Sequence, residues 1–245
     1  MPTPLPDKAA LLERAKPYRD NWDRSFRPPG VEPVGEGEES VWDYPRPPII
    51  APVPGPVRVM LGDIAIAESD CALEVKETAG APVPYIRPED VRTEWLEDTS
   101  RLTVCEWKGA TLYYDLALPG GNASLSEFSS RKIAAPAHSP SRPPIECTLL
   151  GGREGEWAGA APERSEGLTK KPIRIAEAAW NYPDPFDDLS EGYAEIAGWF
   201  GIYAGKLDCF IGEEKARPQP GNFYGGWVTD RIKGPIKGGP GTGGW

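Results

Sequence analysis

From Val57 onward the chain runs in short apolar stretches separated by turn residues. VRVML and IAIAE flank Gly62-Asp63, a dipeptide at which a hairpin reverses. ALEVKE (72–77) follows, then a turn around AGAPVP, then PYI before Pro88. DVRTEWL alternates Val91, Thr93 and Trp95 on one face, and LTVCEW places Leu102, Val104 and Glu106 opposite Thr103, Cys105 and Trp107. ATLYYDLAL (110–118), IRIAEAAW (173–180) and KLDCFIG (206–212) are further strand candidates, so the pattern predicts a meander of antiparallel strands. One segment reads differently: Phe186, Leu189, Tyr193, Ile196, Ala197 and Phe200 keep the rhythm of a helix, with Asp187, Asp188 and Glu191 in its first turns.

The flanks do not share this rhythm. Residues 1–50 read as a proline-rich arm with a short helix at Asp7 to Lys16, because the prolines beyond it block a long helix or a central strand. Residues 51–214 form the β core, interrupted at 119–172 by a glycine-, serine- and proline-rich stretch read as a largely disordered surface insertion. Residues 215–245 are a second, glycine-rich arm. The expected fold is therefore mainly β: a small two-sheet antiparallel core, an open sandwich or half-barrel, with one helix and long irregular arms.

Composition fits that picture. In 245 residues, 28 glycines and 29 prolines favour short strands and turns over a helical bundle. The net charge of −10 argues against a nucleic-acid partner, which lysine and arginine would have to hold, and no basic amphipathic stretch points to a membrane. The charge is uneven: segments 51–118 and 173–214 hold 8 basic against 21 acidic residues, whereas 215–245 holds 5 against 1. A basic tail beside an acidic core predicts that the tail docks on the core itself or on a second copy, as a homo-oligomer held through its arms. Cys71, Cys105, Cys147 and Cys209 form no CxxC pair, and the N-terminus lacks the apolar run of a signal peptide. The expectation is a soluble cytoplasmic protein with free thiols.

Candidate chemistry concentrates in two stretches. The terminal KGPIKGGPGTGGW is not a phosphate loop, since Lys237 precedes the glycines and no helix follows. In CEWKGATLYYD, Lys108 is a candidate cation or proton donor, and Cys105, three residues away, a lesser candidate whose alternative is a buried structural thiol. AAWNYPDP holds Asp184 between Pro183 and Pro185, either as an acceptor at a pocket mouth or as the cap of the following helix. Trp107, Tyr114, Trp180 and Tyr182, with Tyr113, would wall an aromatic pocket if a curved sheet brought them to one side. No cofactor is indicated.

VRVMLGDIAIAES, ALEVKET with PVPYIRPEDVRTEWLE, CEWKGATLYYDL, EAAWNYPDP and LDCFIG together resemble the DUF427 domain proteins, in the family's order and over about half the chain. SVWDYPRPP and FYGGWVTDRIKGPIKGGPGTGGW are similar to an extended subgroup in which both arms occur together. The resemblance implies two facing antiparallel sheets with one helix. It implies little about activity: a nucleotidyltransferase label attached to the family finds no Asp-x-Asp pair or phosphate loop in this sequence. The family passes from YYDL to AAW through a short loop, where this chain has roughly fifty residues. The functional expectation is a small organic molecule bound in an aromatic-lined pocket, with acid–base chemistry on Lys108 and Asp184. Its competitor is a non-catalytic interaction module whose arms and aromatics serve assembly.

Overall fold

The computed structural model describes residues 3–20, 25–119, 172–189, 192–221, 223–242 and 245. The chain divides into two units, residues 118–173 forming the smaller one and the rest forming the larger. The expected insertion at 119–172 lies outside the described residues apart from its two ends. All that follows concerns the larger unit and the strands that lead out of it.

The described part holds one helix, α1 (Lys8–Asp20), and short strands. These are β1 (Glu39–Ser40), β2 (Ile49–Pro52), β3 (Val57–Leu61), β4 (Ile64–Ser69), β5 (Leu73–Lys76), β6 (Val83–Ile86), β7 (Leu96–Cys105) and β8 (Gly109–Leu118). They continue as β9 (Ile173–Asn181), β10 (Phe200–Ile202), β11 (Asp208–Ile211), β12 (Glu214–Lys215), β13 (Arg217–Pro218), β14 (Trp227–Val228) and β15 (Ile232–Lys233). An antiparallel sheet of seven strands has the order β2-β5-β6-β10-β9-β8-β7, and a second of four strands the order β12-β11-β3-β4. Neither is closed, as the expected two-sheet core requires. No helix among the described residues is long and apolar enough to cross a membrane.

Local sequence accounts for much of this. Leu61 pairs with Ile64 across Gly62-Asp63, and β3 alternates buried Val57 and Val59 with a half-buried Arg58. β8 has neighbours on both edges and is buried along nearly its whole length, which suits its unbroken apolar run. In α1 the Asp7 carboxylate accepts the Ala10 amide at 2.8 Å, capping the helix. Leu11 and Ala15 then pack on Ala110 of β8 and on Phe186.

Two expectations fail. The segment from Phe186 is not a helix: Tyr193–Ile196 is a single 3-10 turn entered through Gly192 at φ +73°, and Phe200–Ile202 is β10. Phe200 and Gly201 pair with both β6 and β9, and that two-sided ladder outweighs a weak helical periodicity. The core's expected helix is thus absent, and the one helix belongs to the N-terminal arm. DVRTEWL is not a strand either. It lies in two 3-10 turns, Pro88–Asp90 and Thr93–Trp95, drawn tight by Arg87 and Ser69 on the Asp90 carboxylate. The expectation of free thiols also fails at Cys71, which is disulfide-bonded, while Cys105 and Cys209 are free.

The arms dock on the core of their own chain. β1 pairs in parallel with β15, and β13 pairs antiparallel with β14. Val41, Trp42, Tyr44, Val228 and Ile232 bury themselves against Ala79 and Ala81, in the connection between β5 and β6. The Trp42 indole donates to the carbonyl of Pro235 at 2.7 Å, and its ring meets that of Trp245 edge-on at 5.3 Å. Charge follows apolar contact. Arg231 donates to Glu39 and to the fully buried Glu74, both at 2.6 Å, and Lys237 donates to Glu77 at 3.0 Å.

Candidate functional site

Cys105 and Gly109 face each other across β7 and β8, so Glu106, Trp107 and Lys108 form the intervening turn. Gly109 carries φ +100°, a conformation that favours glycine, and a Cβ there would be in ordinary contact with Phe186 and the carbonyl of Asp184 at 3.5–3.6 Å. The Phe186 amide donates to the carbonyl of Lys108 at 3.2 Å, tying the turn to the loop beyond β9. The two sequence stretches singled out for chemistry are therefore neighbours in space.

Their side chains part company. Lys108 is buried, 7 % exposed, with its ammonium 5.6 Å from the centre of the Tyr182 ring. Among the described residues it makes no hydrogen bond and no ion pair. Burial works against its charge, but Cys105, Tyr85 and Glu77 together favour it more strongly, and its pKa is raised. The side chain is a fixed cation rather than a base. Asp184, by contrast, lies at the surface, where its carboxylate accepts from Lys8 at 2.9 Å, and Lys8 also holds Asp187 at 3.1 Å. Asp184 is neither a partner of the Lys108 ammonium nor the cap of a helix, because no helix follows it.

Of the four aromatic residues expected to wall a pocket, the structure brings two together in one core cluster. Trp180 and Tyr182 sit two residues apart and share a face with Tyr85, Tyr113 and Ile196, against which Cys105 also packs. The Trp180 indole donates to the Tyr85 hydroxyl at 3.3 Å. Burial raises the pKa of both Tyr85 and Tyr182, so both phenols stay protonated, although Lys108 pulls that of Tyr85 back. Tyr114 is on the other face. Its hydroxyl donates to Asn181 at 3.2 Å and its ring meets Phe200 edge-on at 5.4 Å, as strand alternation dictates once Tyr113 points into the cluster. Trp107 is elsewhere again, with the guanidinium of Arg19 5.7 Å from its ring centre.

The face is also covered. A Cβ on Gly201 would lie 2.4 Å from the Trp180 ring and one on Gly225 2.0 Å from it, so the indole is held between β10 and the C-terminal arm. Trp227 of the same arm donates its indole N–H to the carbonyl of Ile202 at 2.8 Å.

Beside this face lies a charge cluster that sequence reasoning missed. Glu77 accepts from Arg46 at 3.2 Å and from Lys237 at 3.0 Å, and Lys108 adds a third positive charge nearby. Burial pushes the Glu77 carboxyl up, yet Lys237, Lys108 and Arg46 outweigh it and bring its pKa down to about 2. Only the contrast between acidic core and basic tail hinted at it. Tyr85 gave no signal beyond lying in a strand-like PYI.

Residues 49–128 match the family model described as a domain of unknown function, DUF427. The matched span includes Cys105, Trp107, Lys108 and Tyr114, and ends before Trp180, Tyr182 and Asp184. No curated protein matches the chain.

Proposed function

We propose that this chain, which carries a DUF427 domain over residues 49–128, binds a small organic molecule at Lys108, against the face formed by Tyr85, Trp180 and Tyr182. The observation that supports this reading is the Lys108 ammonium: buried, held charged, and without a hydrogen bond or ion pair among the described residues. A buried cation is costly unless something compensates it, and groups of this kind concentrate at functional sites. An anionic or strongly polar ligand atom supplies the direct hydrogen bond that the ammonium lacks. The phenols of Tyr85 and Tyr182, kept protonated by burial, can donate hydrogen bonds to it, and Cys105 is the nearby thiol. Trp180 and Tyr182 serve as walls, reached when the segment around Gly225 lifts from the Trp180 ring. Asp184 takes part only if Lys8 releases it.

A thermal-shift screen of the purified protein against small organic acids, nucleotides and neutral metabolites tests this, with Lys108→Met alongside. A ligand at a hundred times its dissociation constant stabilises the native state by about 2.7 kcal/mol, a shift that is easily read. Stabilisation by an anionic compound that vanishes in Lys108→Met is the expected result. Silence across the library, or a hit that is indifferent to Lys108, overturns it.

One observation favours a second reading, that of an assembly module: the C-terminal arm already occupies the aromatic face through Gly225 and Trp227. Under that reading the face is a docking surface for the arm, and removing residues 216–245 yields a protein that takes up the arm as a separate peptide but binds no small molecule.

A further inference from the structure

Where α1 meets the turn between β7 and β8 there is a cavity of about 320 Å³, lined by Lys16, Arg19, Asp20, Pro47, Trp107 and Leu189. Two of the lining side chains carry a buried donor with no acceptor: the Trp107 indole Nε1 and Nη2 of the Arg19 guanidinium. Trp107 is 2 % exposed and the Arg19 side chain 8 %. A donor left unpaired away from water is costly. The guanidinium cannot simply turn to relieve this. Its Nε donates to the carbonyl of Glu106 at 2.5 Å and its Nη1 to Asp188 at 2.6 Å, while the ring of Phe186 lies 5.2 Å from its carbon. Arg19 is thus pinned through Nε and Nη1, with Nη2 between them left without an acceptor.

The surroundings narrow what can satisfy it. Lys16 is already paired with Glu13 and Arg19 with Asp188, both at 2.6 Å, and Asp20 adds a further negative charge. A doubly charged phosphate would meet these carboxylates with two negative charges, whereas a single carboxylate brings only one to the Arg19 guanidinium. Its two oxygens also suit a pair of separate N–H donors. The remaining lining, Pro47, Leu189 and the indole face of Trp107, is apolar and accepts a flat organic body. The volume lies at the lower end of the range for small-molecule sites, roughly 300–1,000 Å³.

We infer that this cavity is a binding site for a small organic monocarboxylate, gripped by Arg19 and Trp107 and separate from the Lys108 face. Among the described residues that line it, none belongs to the C-terminal arm.

The test is a titration of ¹⁵N-labelled full-length protein with benzoate, acetate and inorganic phosphate, following the indole N–H resonance that disappears in Trp107→Phe. Benzoate shifts that resonance saturably, acetate does so more weakly, and phosphate leaves it in place. In Arg19→Gln the benzoate affinity falls by about tenfold or more, the loss of one charge-assisted hydrogen bond. If Arg19→Gln loses its native near-UV circular dichroism, Leu189→Phe replaces it, filling the cavity and abolishing the shift while keeping the guanidinium. An indole that ignores both carboxylates means that the cavity holds water only, and the inference falls. It falls equally if phosphate alone moves the resonance, or if Arg19→Gln and Leu189→Phe both bind benzoate as the parent does.

Discussion

Around Glu74 and Glu77 each buried charge touches its opposite: Arg231 on Glu39 and Glu74, Lys76 on the same two, Arg46 and Lys237 on Glu77. A few residues away, at the turn between β7 and β8, Lys108 is buried with no such contact among the described residues, and Trp107 and Arg19 hold donors that nothing accepts. Both regions are desolvated and cationic. The difference is that the first binds the arms of the chain to its core through ion pairs, although Glu74 Oε1 and Arg231 Nε lack hydrogen-bond partners there too. In the second, Lys108 has no ion pair among the described residues. Paired buried charges fail when one member is removed, because the other is left uncompensated.

That contrast can be broken most forcefully at the arm. Trp227 is 1 % exposed and anchors the C-terminal arm, so Trp227→Ala is expected to destabilise the protein by about 3–5 kcal/mol in a urea titration. The next effect is one of pH. The folded-state pKa of Glu77, about 2, lies below its ordinary 4.5, so the stability it contributes is present above pH 4.5 and is lost as pH falls toward 2. The size is about 3 kcal/mol, and Glu77→Gln should flatten that part of the stability profile. Lys237→Met follows, at about 2 kcal/mol, because Glu77 keeps Arg46 after Lys237 is gone. The smallest effect sharpens the comparison from the other side: Lys108→Met removes one of the three positive charges near Glu77 but no hydrogen bond, and should destabilise by about 1 kcal/mol, less than Lys237→Met. A loss at Lys108 as large as that at Lys237 would mean that both regions are structural.

The parts that were legible in the sequence share a property: they are decided by residues close together in the chain. Gly62-Asp63 reversed where expected, and ATLYYDLAL and IRIAEAAW became β8 and β9. Phe186 to Phe200 misled because its apolar residues are each buried in a different place, against α1, within the aromatic cluster or in the ladder between β6 and β9. Their spacing at helical intervals has no common face behind it. At the candidate site, Lys108, Trp180 and Tyr182 could be read because they follow strand alternation or a tight turn. Tyr114 was misassigned by one residue of the same alternation, since either Tyr113 or Tyr114 fits an inward position. Arg19, Arg46 and Glu77 carry no local mark at all, as their roles arise when the arms meet the core.

The pairing of β1 with β15 also bears on how the chain is made. The Trp42 indole and the Pro235 carbonyl it binds are 193 residues apart. Val41, Trp42 and Tyr44 leave the ribosome well before their cover, Val228 and Ile232. While the residues between them are made, the nascent chain therefore presents an uncovered indole and phenol beside a proline-rich tether, a surface for chaperones or for premature contacts between neighbouring chains. Closure of β1 on β15 waits for that synthesis, and its speed sets how long the exposure lasts.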